Sequence, residues 1–383
     1  MKSIDDLIAK YCPYGVEYKE LWQLTIWDKK FNEVERDKQP TTISYHYFLA
    51  DELEQMAVSG GTIKLLTTSP SNIFTSEEIA DDKISEGEIV SIPWGGYPHV
   101  QYYKGRFLTA DNRIATSRDI EVLDNKFLYY IMANRTRTIN SFYRGSGIKH
   151  PSMARVLNLP IPLPHIEIQR EIVRILDGFT GLIDELEAEL AARLKQYKQY
   201  RKKLLAFGDD VEWKMLQDVC VIKHGSDYKR FGHGKYPVYG SGGIMTYVDR
   251  YAYDKPTVLL PRKGSLDKIH YVDHPFWNVD TVFYTEIDTS KTIPKFIYHY
   301  LLTVDLRRWS NVGGVPGLTQ SRLNKIAVPH PSLPEQGRIV ETLDKFDALC
   351  NDETSGLAAE IAARKKQYEY YRDKLLTFKR KAS

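Results

Sequence analysis

The chain has 383 residues, room for two or three domains. Its 42% apolar and 27% charged residues are those of a folded globular protein and exclude wholesale disorder. Lys and Arg total 53 against 50 Asp and Glu, a formal charge of +3, which excludes a uniformly basic nucleic-acid coat but leaves local basic patches open.

The N-terminus reads MKSIDDLIAKYC, with Asp5 and Asp6 where a secretion signal needs an apolar stretch. No run of 18 apolar residues follows anywhere, so no membrane span and a cytoplasmic location are expected. Cys12, Cys220 and Cys350 lie too far apart to suggest a disulfide framework or a zinc site. VEYKELWQL (16–24) predicts a strand burying Val16, Tyr18 and Leu21. GEIVSIPWGG (87–96) and HVQYYKGRFLTA (99–110) predict further strands, and KFLYYIMANRTRTINSFY (126–143) predicts a helix. The proline-rich lead-in LPIPLPHIEIQ (159–169) then opens a long amphipathic helix over 169–207. Its apolar residues Leu176, Ile183, Leu186, Leu190, Tyr197 and Leu204 keep close to the alternating 3/4 spacing of a coiled-coil seam. Gly178 and Gly181 predict a kink or break in its early turns. Residues 209–330 alternate short β-type runs, YPVYG (236–240), PTVLLP (256–261), KIHYV (268–272) and DTVFYTEI (280–287), with Gly, Pro and Asp turns. A helix is predicted over 292–309, then a second proline lead-in (326–336). A second long helix follows, with a seam through Leu357, Ile361, Tyr368 and Leu375.

The chain repeats itself. AARLKQYKQYRKKLLAF (191–207) and AARKKQYEYYRDKLLTF (362–378) agree at 12 of 17 positions, and QREIVRILDGFTGL (169–182) and QGRIVETLDKFDAL (336–349) at seven of 14. VEYKELWQL matches VEWKMLQDV (211–219), and KFLYYIM (126–132) matches KFIYHYL (295–301). Two copies of one large unit imply a pseudo-twofold protein, and the first copy carries about 26 extra residues between Leu24 and Lys126. Acidic residues 184–189 precede basic residues 193–203 on the first long helix, which suits both the helix dipole and an antiparallel partner.

Tyrosine occurs 26 times, interleaved with Lys and Arg in glycine-rich loops, a composition that suits bases and phosphates. The loops 144–150, 224–247, 262–265 and 313–322 are the informative ones. The candidate DNA contacts are Lys64, Trp94, Lys104, Arg113, Arg144 and Lys149 in the first half. In the second they are Lys223, His224, Tyr239, Ser241, Gly242, Arg262, Lys263 and Arg322. No phosphate-binding GxxxxGK[ST] loop, no [Asn/Asp]-Pro-Pro-Tyr run and no HExxH occurs, so no catalytic or metal residue is assigned. Glu17-x-Lys19 and Glu212-x-Lys214 spell a pair found in metal-dependent nucleases, against the simpler reading of two charged strands.

The lead-ins IPLPHIEIQREIVRILDGF and VPHPSLPEQGRIVETLDKF, each followed by a helix ending QYxxYRxKLL, together with YPVYGSGGI…PTVLLPRKGS…WNVDTVFY, resemble the DNA specificity subunit of type I restriction–modification enzymes. The resemblance covers essentially the whole chain. It implies an α+β architecture: two mixed α/β target-recognition domains (1–165 and 209–332) separated by two long antiparallel conserved helices (166–208 and 333–383) forming a coiled coil. It implies a non-catalytic subunit that reads a bipartite site on double-stranded DNA. Two methyltransferase subunits using S-adenosylmethionine would dock on it and, through them, two restriction subunits using ATP and Mg2+. The chain itself would bind no cofactor. A coiled-coil scaffold with two heads that bind protein in place of DNA is the alternative.

Overall fold

The computed structural model describes residues 4–310, 317–351 and 356–382. The chain forms two compact units. Unit 1 runs to Asp184 and resumes at Ala363; unit 2 is Glu185–Ala362.

Unit 1 opens with α1 (Ile4–Tyr11) and β1 (Glu17–Glu20), followed by β2 (Thr25–Trp27), β3 (Ile63–Leu66), β4 (Phe74–Thr75), β5 (Ser85–Pro93), β6 (Gln101–Thr109) and β7 (Asn112–Ser117). Then come α2 (Asn125–Asn134), β8 (Pro160–Leu163) and the start of α3 (Ile166–Leu204). A six-stranded sheet has the order β2-β7-β5-β6-β3-β4, antiparallel except where β3 runs parallel to β6. Its inward residues Val90, Ile92 and Ala115 share a core with Phe127, Leu128 and Ile131 of α2 and with Ile168, Ile172 and Leu176 of α3. The extra residues of the first copy build β3, β4 and a satellite core around Phe48, Leu53, Ile63 and Leu108.

Unit 2 contains β9 (Trp213–Met215), β10 (Cys220–His224), β11 (His233–Gly240), β12 (Gly243–Val248), β13 (Thr257–Pro261), β14 (His270–Val272), β15 (Trp277–Asn278), β16 (Val282–Ile287), α4 (Pro294–Leu301), β17 (Ala327–Pro329) and α5 (Leu333–Asn351). The last helix, α6 (Leu357–Leu375), starts here. Its sheet order β10-β16-β13 repeats β2-β7-β5 of unit 1, with β14 added at one edge. A separate sheet, β12-β11-β15, carries the YPVYGSGG segment.

The matched sequence blocks turn out to be duplicated fastenings. Gln169 and Gln336, the last residues of the two lead-ins, are both fully buried. The Gln169 amide accepts from the Asp124 N–H (3.0 Å) and donates to the carbonyls of Val122 and Pro164 (2.8 Å each). Gln336 accepts from the Ile293 N–H (2.8 Å) and donates to Pro331 (2.9 Å) and Lys291 (3.3 Å). Each glutamine thus ties the start of a long helix to the N-terminus of the helix packed on it, supplying partners to backbone groups that water cannot reach. Eight residues on, Asp177 accepts from Tyr130 (2.6 Å) and pairs with Lys126 (2.8 Å). Asp344 likewise meets His299 (3.1 Å) and Lys295 (2.7 Å). This is why KFLYYIM and KFIYHYL match along with the LDxF runs.

In unit 1 the Phe179 and Tyr371 rings stack at 5.4 Å. Ile172 and Leu176, earlier on α3, share a core with Leu376, beyond the end of α6. In unit 2 Phe346 stands 6.1 Å from Tyr197 and 5.1 Å from Tyr200. Ile339 and Leu343, earlier on α5, share a core with Leu205, beyond the end of α3. Within each unit, therefore, the two helical segments run in opposite directions. Each unit also takes its second segment from the other sequence copy: LLTF (375–378) packs in unit 1 and LLAF (204–207) in unit 2.

Three expectations are corrected. α3 is continuous through Gly178 and Gly181, because buried Leu176 and Ile183 on either side hold it. The 126–143 helix ends at Asn134, where Thr136 bonds back to the Ala133 carbonyl and a short turn of 136–140 begins. The 292–309 helix ends at Leu301, and Asp305 caps a separate 3-10 turn at Leu306–Trp309.

Candidate nucleic-acid interface

In unit 1 two glycine loops meet. The Gly96 N–H donates to the Lys149 carbonyl (3.1 Å), and the His150 ring bonds the Trp94 carbonyl (2.8 Å). Gly95 lies so close to Ile148 that a Cβ there would come within 2.9 Å of it, and Gly96 takes a φ of +93° that other residues resist. Beside these loops lies an open pocket of about 610 Å³ lined by Trp94, Tyr97, His99, Asp111, Ile148 and His150. Tyr97 is 91% exposed and Ile148 71%, an unusual display for such side chains outside a binding surface. Arg144 and Lys149 are exposed on the same loop pair. Burial holds His99 below the usual imidazole range, so its ring is a neutral hydrogen-bonding group. The floor is rigid. Arg113 lies 4.6 Å over the Trp94 ring and bonds Asp28 (2.8 Å) and Asp111.

Lys64 and Arg113 are therefore not surface groups. Lys64 lies inside the satellite layer and donates to the Ser71 carbonyl (2.6 Å); burial lowers its pKa. Arg113 is 1% exposed and neutralises Asp28, whose carboxyl burial pushes upward against the pull of Tyr47, Arg113 and the Ile114 N–H. Each is a structural cation beneath the face. Lys104 is exposed on β6, beside Glu88 (3.2 Å), among strand residues rather than on the loop pair.

In unit 2 the loops 240–243, 262–265 and 317–318 adjoin. A Cβ on Gly264 would lie 2.7 Å from Ser241 Oγ, and the Leu318 N–H donates to the Arg262 carbonyl (2.8 Å). Lys263 bridges to Gly317 through its backbone and keeps its side chain exposed. Arg262 bonds the Asp280 carbonyl (3.1 Å) and stays one-third exposed. Gly242 is exposed and Ser241 half-buried beside them. Lys223 sits near Glu286 (3.5 Å), and exposed His224 packs edge-on to Phe283. Tyr239 is buried against Phe276, with its hydroxyl 3.4 Å from His274; it supports the loop from below. Arg322 is also structural, donating to the carbonyls of Trp309 (3.2 Å) and Ser310. The stretch 313–316 of the 313–322 loop lies outside the described residues.

Tyr97 lies outside the loops named from the sequence, while Ile148, Ile244, Met245 and Tyr247 lie within loops 144–150 and 224–247 but are not among the candidate contacts. The last three are 45–57% exposed along β12, the edge strand of the three-stranded sheet β12-β11-β15. An aromatic flanked by Gly-Gly and Pro in WGGYPH was the available signal for Tyr97. Glu17 and Lys19 stand on β1, and Lys214 stands on β9 with Glu212 one residue before it; each strand is paired antiparallel to the lead-in strand β8 or β17. Each lysine faces its own glutamate (3.7 and 3.3 Å). Among the described residues no group of three or more His, Cys, Asp or Glu side chains is placed to hold a metal ion. None of their helices is long and apolar enough to cross a membrane.

Comparison with known proteins gives one answer throughout. The family described as type I restriction modification DNA specificity domain matches twice, over residues 59–196 and 208–363. A putative type I restriction enzyme specificity subunit of Haemophilus influenzae is 31% identical over 76% of this chain and 83% of its own length. The EcoR124I/EcoR124II specificity subunit of Escherichia coli is 36% identical over 70% of this chain and 74% of its own. In fold, the chain is similar to the S subunit of a type I restriction–modification system from M. genitalium. That likeness has a TM-score of 0.61 at 20% identity and covers 94% of this chain and 96% of that one. The scaffold alternative finds no support among these relatives.

Proposed function

Since the chain belongs to the family of type I restriction–modification specificity subunits, we propose that its two loop clusters each read one half of a bipartite DNA sequence on behalf of methyltransferase subunits that dock on the duplicated helices. The subunit contributes no bond-making chemistry. Two methyltransferase subunits carry S-adenosylmethionine, and two restriction subunits, joined through them, carry ATP and Mg2+. The complex works in the cytoplasm.

One observation carries this reading. The residues the two copies share are fastenings of the scaffold, whereas the exposed loop residues differ: Trp94-Gly-Gly-Tyr97 in one unit, Arg262-Lys-Gly-Ser265 in the other. A protein that places two readers on one duplex needs the same frame twice and different contacts twice. Phosphate contacts from Arg144, Lys149, Arg262 and Lys263 position each unit. Tyr97, His99 and Asp111 in unit 1, and the β12 edge strand in unit 2, meet base edges. A carboxylate such as Asp111 accepts from the exocyclic amine of cytosine. Mapping the methylated sequences in cells expressing this chain with its methyltransferase tests the reading: a split recognition sequence is expected, and methylation at one unsplit site, or none, refutes it.

A further inference from the structure

One backbone station recurs in both units with different side chains on it. In unit 1 Pro93, the end of β5, pairs with Asn112, the start of β7, and the Trp94 N–H donates to the Asp111 carbonyl (3.0 Å). In unit 2 Pro261, the end of β13, pairs with Val282, the start of β16, and the Arg262 N–H donates to the Thr281 carbonyl (2.8 Å). The register makes Asp111 and Thr281 equivalent. The frame is repeated to the residue, while the group it presents changes from a carboxylate to a hydroxyl.

The Asp111 carboxylate is held in place without being used up. Its Oδ1 accepts from the guanidinium of Arg113, which buried Asp28 already neutralises and the Trp94 ring backs. Its side chain is 53% exposed and lines the open pocket, and Oδ2 has no hydrogen-bond partner among the described residues. No Lys or Arg lines that pocket, so it does not cradle a phosphate. A carboxylate turned toward a polyanion costs affinity unless a donor meets it. In the major groove the N4 amine of cytosine is such a donor. The N6 amine of adenine stands beside N7, an acceptor that repels a carboxylate.

We propose that Asp111 is a specificity-determining residue that selects one C·G pair in the half-site read by unit 1, its Oδ2 accepting from the cytosine N4 amine. The inference rests on the reading that the unit 1 loop cluster meets base edges, and names the pair that it chooses. The bond is charge-assisted, and Arg113 holds the carboxylate ready for it. Thr281 presents no carboxylate at the equivalent place, so the half-site read by unit 2 is free of this demand.

The test inverts the polarity of that one group. Asp111→Asn keeps the shape, and its oxygen still serves Arg113, so the amide NH2 donates where Oδ2 accepted. The full chain, assembled with its methyltransferase, selects duplexes from a randomised pool, and the bound sequences are read. With the unaltered chain one half-site holds an invariant C·G pair. Asp111→Asn turns that position away from cytosine by about tenfold or more, toward bases that present an acceptor, and Asp111→Ala leaves it without preference. Every other position, including the whole of the second half-site, stays as it was. A split sequence that neither variant alters overturns the assignment and leaves the reading of two half-sites intact. Loss of all selective binding by the Asn variant also overturns it, since that marks a purely structural role. An unaltered complex that selects no split sequence overturns the underlying reading as well.

Discussion

Replacing Gln169 by Leu isolates one fastening of the frame. Leucine fills a similar volume but offers neither donor nor acceptor. The change leaves the Asp124 N–H and the Val122 and Pro164 carbonyls without the partners they now have at 2.8–3.0 Å, at a site with no exposed surface to admit water. An orphaned buried donor costs about 1–3 kcal/mol. A carbonyl with a second lone pair costs less, so the sum is about 3 kcal/mol. For a unit of about 200 residues this lowers the melting temperature by about 6–12 °C. The loss is local: Asp124 also caps α2 by accepting from the N–H groups of Lys126 and Phe127 (2.8 Å each), so its backbone loosens with the helix start. Hydrogen exchange over residues 122–128 should quicken while 291–297 stays protected; Gln336→Leu should give the mirror result. A melting shift under about 2 °C, or exchange that changes equally in both segments, would refute the reasoning.

Arg113→Met, which strands the Asp28 carboxylate in a site with 0% side-chain exposure, should destabilise unit 1 by about 3–5 kcal/mol in urea unfolding. Adding Asp28→Asn should recover part of that; a loss below about 1 kcal/mol would show that the pair does not hold the floor under Trp94. Arg262→Ala with Lys263→Ala in the assembled complex should weaken DNA binding and flatten its dependence on salt by about one unit of slope per lost phosphate contact. An unchanged affinity and slope would remove them from the interface. Burial holds His270 and His299 below their ordinary range. The unfolded chain therefore binds protons before the folded one does. Their stability contribution is present above the unfolded value of about 6.5 and is lost as pH falls through the lower folded values. The urea midpoint of unit 2 should drop on going from about pH 7.5 to about pH 5.5, and His299→Gln should shrink the drop; a midpoint that rises would contradict the sign.

Much of the frame was legible because it is written twice. Gln169 and Gln336, Asp177 and Asp344, and the two KF helices recur at matching positions, and a repeated residue in a changed setting points to a repeated contact. The strands of the second half were legible from their turns. The exchange of tails between copies was legible from charge, since acid early and base late on the first long helix suits an antiparallel partner from the other copy. Arg113 misled because a basic residue in a β-type run gives no sign of a buried carboxylate 85 positions earlier. Tyr239 misled for a related reason: in YPVYG alternation alone does not tell a loop-facing ring from one packed on Phe276. The two helix glycines weigh about 1 kcal/mol each against helix formation. Packing by Leu176 and Ile183 outweighs that, a tertiary effect that local propensity does not contain.

The division into one frame and two readers is tested most directly by exchanging residues 209–332 for the matching segment of a relative with a different target and sequencing the methylated DNA. The account predicts that one half of the split sequence changes to the donor's while the other half stays as it was. Both halves changing together, or neither changing while methylation persists, would contradict it.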